Sequence, residues 1–91
     1  MLVTLSEAKA YLKLEGSEED QILMDLLSAA SELTLNILRC EESDFEEVPK
    51  AVKQAVLFCA ASLYENREGG NLIAVLDVMK TMLFSYRKDA W

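Results

Sequence analysis

The 91 residues contain no histidine, two cysteines, three glycines and a single proline. Without histidine, the usual zinc sets and every His-based nucleophilic device are excluded. Cys40 and Cys59 form no CxxC pair, and Cys59 lies in an apolar run, where a thiol acts as a small buried hydrophobe. A Gly-rich phosphate loop is also missing. What remains for catalysis is scattered carboxylates such as Glu18 and Glu19, serines, and three tyrosines without a partnering base. No enzymatic activity and no cofactor are expected. Basic residues are few, nine Lys and Arg against sixteen Asp and Glu, which gives a formal net charge of -7. Lys50 and Lys53 share a helix face, and Arg87 and Lys88 lie near the end, but neither pair outweighs the surrounding acids, so specific nucleic-acid binding is not expected. No basic n-region leads into an apolar h-region, and no apolar run is long enough to span a bilayer. The chain is therefore expected to be made and kept in a reducing cytoplasm, without a membrane.

What is present is apolar surface. Apolar residues make up 52% of the chain and charged residues 27%, which argues against disorder. One domain, residues 1–91, is expected, and a chain this short buries only roughly 60–65% of its unfolded surface. The periodicity is helical throughout, and the expected fold is all-α, a small bundle of four helices at about 5–14, 18–39, 49–67 and 72–87. The first begins with Thr4 three residues before Glu7, a capping box. Leu5, Ala8 and Leu12 form its stripe, with Tyr11 beside them, and Gly16 is expected to stop it. Ser17 is the expected N-cap of the second helix, placing Glu18, Glu19 and Asp20 in a first turn where the helix dipole favours negative charge. Its stripe runs through Ile22, Leu23, Leu26, Leu27, Ala30, Leu33, Ile37 and Leu38, with Met24 and Leu35 off it.

The segment "CEESDFEEVP" interrupts the pattern and reads as a solvated acidic loop. It lacks the D-x-D-x-D-G order and turn glycine of a calcium loop, so no metal is expected there. Pro49 suits the first position of the third helix. From Ala55 to Ala61 this helix carries no polar side chain apart from the Cys59 thiol. A helix apolar all round must be surrounded by protein, its own or a neighbour's. In the fourth helix Leu72, Val75, Leu76, Met79, Met82, Leu83 and Tyr86 line one face, while Ile73, Val78 and Phe84 point elsewhere. Two apolar faces on one helix exceed what a single small core uses.

Four pieces taken in order carry a resemblance: "LSEAKAYLKL", "EEDQILMDLLSAASEL", "VPKAVKQAVLFCAASL" running into Tyr64-Glu65-Asn66-Arg67-Glu68, and "MLFSYR". Together they resemble the small head-tail connector, or adaptor, proteins of tailed phages and prophages. That family often has a His-Trp pair just before its Tyr-Glu-Asn-Arg-Glu segment, where Ser62 and Leu63 stand here, and this chain is short for the family. The resemblance implies a structural part in head completion and DNA packaging, with no catalysis. It implies a homo-oligomeric ring of small helical bundles in the virion, beneath the portal protein and above the next tail-proximal head-completion protein, with DNA passing through the channel without specific binding. It also implies synthesis in the cytoplasm of a host bacterium.

On that reading the candidate subunit interface is Tyr64, Glu65, Asn66, Arg67, Glu68, Ile73, Val78, Phe84 and Trp91. The same residues have structural explanations too. Tyr64 offers an apolar ring with a polar tip where a buried helix emerges, Arg67 falls in a last turn, and Gly69 or Gly70 can end the helix. The competing reading is a generic acidic helical adaptor, a dimer that docks a partner helix or a basic surface. Symmetry separates the two, because a ring subunit uses two different faces and a two-fold dimer uses one face twice.

Overall fold

The computed structural model describes residues 2–65 and 72–84. Among them are four α-helices, α1 (Leu5–Leu12), α2 (Asp20–Leu38), α3 (Lys50–Glu65) and α4 (Leu72–Leu83), and no strand. A 3-10 turn, Glu42–Asp44, sits in the acidic connection between α2 and α3. The all-α expectation holds. The backbone extends 40 × 30 × 17 Å, and the short dimension matches two layers of helices.

α1 starts as the sequence indicates. The Thr4 hydroxyl accepts from the Glu7 amide at 3.1 Å, and the Thr4 amide donates to the Glu7 carboxylate at 3.0 Å. The stop differs from expectation. Lys13, not Gly16, takes the left-handed conformation at φ 59°, and the Leu14 amide reaches back to the Lys9 carbonyl. α2 ends the same way, with Arg39 at φ 58° and the Cys40 amide donating to Leu35. In both cases a basic residue tolerates the strain of a left-handed turn at the negative end of the helix dipole. Gly16 has its own positive φ of 83° in the loop beyond, where a Cβ would lie 2.6 Å from Glu18 Oε2.

The start of α2 also departs from expectation. Ser17 to Glu19 form a turn, with the Asp20 amide donating to the Ser17 carbonyl, and Glu19 occupies the cap position without a side-chain cap bond. Two of the three acids therefore lie ahead of the helix. Asp20 is held by the Lys9 ammonium at 2.8 Å, and Lys9 also donates to the Gly16 carbonyl, so one lysine of α1 fixes this loop. Pro49 stands one position before α3, its carbonyl already accepting from the Lys53 amide. The end of the expected third helix, at 66–67, and of the fourth, at 85–87, lie outside the described residues.

α3 is the centre of the core. It packs against α1, α2 and α4, and Val52, Ala55, Val56, Leu57, Cys59, Ala60 and Ala61 are all buried. The apolar run is thus covered by its own chain, apart from the half-buried Phe58. α2 contributes Leu23, Leu27, Ala30 and Leu38. Leu26, Leu33 and Ile37 are only half-buried, and Ile22 is exposed on the flank of the expected stripe. Two polar residues, Ser31 and Thr34, are buried on the same side. The Ser31 hydroxyl accepts from the Leu2 amide, and the Thr34 hydroxyl donates to the Ala30 carbonyl at 2.8 Å, so neither is left unsatisfied. Leu2 and Val3 are themselves core residues, which anchors the segment ahead of α1. The ion pair between Lys53 and Glu7, at 3.2 Å, ties α1 to α3. A hydrogen bond from the Thr4 amide, and then the Lys53 ammonium, hold the Glu7 carboxyl below the usual carboxylate range.

Both cysteines are thiols, Cys59 buried and Cys40 half-buried. Burial alone pushes the Cys59 thiol above its ordinary value, as an inert small hydrophobe requires.

Candidate subunit interface

α4 buries one face and leaves apolar side chains on the other. Met79 and Leu83 are fully buried, and Val75, Leu76 and Met82 pack partly against the core. On the outer side Ile73 is 73% exposed, Phe84 67% and Val78 45%. At 100° per residue, continued to Phe84 in the 3-10 position just after Leu83, Ile73 and Phe84 fall on one flank and Val78 on the other, so this segment presents apolar groups in three directions. Leu72, expected on the inner face, is 45% exposed. Burial along α4 increases toward its second half, where Met79 and Leu83 lie.

The Tyr64 end of α3 is organised differently. The Tyr64 hydroxyl donates to Glu19 Oε1 at 2.8 Å, joining the last turn of α3 to the loop before α2. Its ring is half-buried, and Glu65 beside it is exposed. Tyr64 therefore has work within its own chain, a link that the sequence spacing gave no way to foresee. Asn66, Arg67, Glu68 and Trp91 lie outside the described residues.

Near Tyr64, a hollow of about 230 Å³ is lined by Glu15, Glu18, Glu19 and Asp20 together with Lys9, Leu14, Gly16 and Leu23. Lys9 is part of that lining and pairs with Asp20 at 2.8 Å. Among the described residues no group of three or more His, Cys, Asp or Glu is arranged to hold a metal ion. No described helix is long and apolar enough to cross a membrane. Tyr11, Ile22 and Met24 are also exposed on α1 and α2, but the most exposed large apolar side chains among the described residues are Ile73 and Phe84, on the outer side of α4, which has the character of a protein contact.

The described residues thus form a small all-α bundle with a closed core and apolar side chains left on the outer side of its last helix. The family model described as phage gp6-like head-tail connector protein matches residues 2–90, and the chain belongs to that family. As a head-tail connector it is a structural component of the virion that meets other head and tail proteins. Among curated proteins and solved structures nothing matches it.

Proposed function

We propose that the chain, acting as one domain over residues 1–91, is a subunit of a homo-oligomeric connector ring. The ring bridges the portal protein and the next tail-proximal head-completion protein around the DNA exit channel, and it performs no chemistry. The observation that carries this reading is the outer side of α4: Ile73, Val78 and Phe84 are exposed on a helix whose inner face already completes the core. In a member of a connector family, neighbouring subunits are the natural cover for such a surface. Tyr64, Glu65, Asn66, Arg67, Glu68 and Trp91 complete the proposed contact, with Glu65, Arg67 and Glu68 as ion-pairing groups and Asn66 as a hydrogen-bonding one.

The charge has a use in the same arrangement. A formal net charge of -7 gives a channel wall that repels the phosphate backbone, so that DNA slides through without sticking. Synthesis takes place in the cytoplasm of the bacterial host, whether the genome is a phage or a prophage.

The test is assembly on the portal of the same virion, imaged by electron microscopy. A ring of added density on the tail-proximal face of the portal is expected, and it should disappear when Ile73→Asp protein replaces the wild type. Portals that stay bare with folded wild-type protein would overturn the proposal.

A further inference from the structure

The exposed residues on one flank of α4 form a pattern that matches itself when reversed. Ile73, Asp77, Lys80 and Phe84 follow one another in steps of four, three and four residues, and all four are exposed. This spacing is that of a two-helix seam, in which residues of one helix interleave with those of a facing helix. When a second α4 is laid against it in the opposite direction, Ile73 of one copy meets Phe84 of the other, and Asp77 meets Lys80. A single two-fold axis produces both apolar layers and both opposite-charge layers, with no mismatch. A parallel pairing would instead set Asp77 on Asp77 and Lys80 on Lys80.

We propose that α4 pairs with α4 of a second copy in an antiparallel, two-fold contact, and that this dimer is the form the subunit takes before it enters the ring. The inference rests on reading the outer side of α4 as an interface between copies, and it adds a symmetry that a ring contact does not have. Charge complementarity selects the occupant. Among the described residues neither Asp77 nor Lys80 forms an ion pair within its own chain, so both charges face outward beside the apolar ends of the seam. The contact is small, one face of a 12-residue helix and the residue that follows it. It falls in the class of weak, reversible interfaces, with a Kd of roughly 1 μM to 1 mM. Such a pair protects Ile73 and Phe84 from nonspecific association, and it opens when a template offers a larger contact.

Charge reversal tests this directly, because the pairing is reciprocal. Sedimentation equilibrium is measured for the wild type, Lys80→Asp, Asp77→Lys, the double exchange Asp77→Lys with Lys80→Asp, and an equimolar mixture of the two single variants. Circular dichroism checks that each is folded, which exposed positions permit. The wild type should dimerise, and each single variant should bind itself about 10- to 100-fold more weakly, since two attractions per dimer become two repulsions. The double exchange and the mixture should both recover dimers, the mixture as heterodimers in which each Asp again meets a Lys. A wild type that stays monomeric up to ~1 mM, single variants that dimerise as well as the wild type, or a mixture no better than its components would each overturn the proposal. Those outcomes leave the ring reading standing if the wild type still decorates the portal, whereas a bare portal overturns the ring alone.

Discussion

α3 and α4 are both strongly apolar helices, yet the fold treats them differently. α3 packs against α1, α2 and α4, and its run from Ala55 to Ala61 is buried apart from a half-buried Phe58. α4 rests on that core with Met79 and Leu83 and turns Ile73, Val78 and Phe84 outward. Apolar content alone therefore does not mark an interface in this chain. A continuous apolar run became core because three other helices pack against it, and the interrupted one kept a surface because it lies at the edge of the bundle.

A charge placed in each helix gives the largest contrast. Ala60→Asp puts an unpaired carboxylate at a position 2% exposed, and a loss of about 4 kcal/mol or more is expected, enough to unfold a chain of this size. Urea denaturation followed by circular dichroism measures it. Next comes the inner face of α4: Met79→Ala leaves a cavity at a fully buried site, with a cost of about 2–5 kcal/mol in the same assay. Farther from the contrast, Thr4→Ala removes the N-cap of α1 and should cost about 1 kcal/mol.

A smaller effect concerns pH. The Glu7 carboxyl is held below the usual carboxylate range in the folded chain, first by the Thr4 amide and then by Lys53. The stability linked to it is therefore fully present above that usual range and is lost as pH falls through the lowered folded value. Glu7→Gln should flatten this part of the acid limb of a stability curve measured against pH. The smallest effect on stability belongs to Ile73→Asp, expected within about 0.5 kcal/mol of the wild type because the side chain is 73% exposed.

The helices, the Thr4–Glu7 capping box, the burial of Cys59 and the two apolar faces of α4 could all be read from spacing, since each depends on residues close together in sequence. Helix stops could not. Lys13 and Arg39 in the left-handed region carry no compositional signal as strong as glycine, although the apolar Leu14 that follows Lys13 belongs to the same turn motif. The Tyr64–Glu19 bond and the buried Ser31 and Thr34 depend on how helices distant in sequence meet, which periodicity does not specify. Asp77 and Lys80 have the spacing of any solvated helix face, and the reversed symmetry of their charges between Ile73 and Phe84 follows only from the exposure of that flank in the fold.

The central claim is that the outer side of α4 joins subunits and does not support the fold. The most direct test is the absolute mass in solution of the wild type and of Ile73→Asp, by light scattering coupled to size exclusion over a wide range of concentration. Association of the wild type beyond a monomer is expected, together with a monomeric variant of unchanged helicity. Equal masses for the two proteins at every concentration, together with equal decoration of the portal by both, would contradict it.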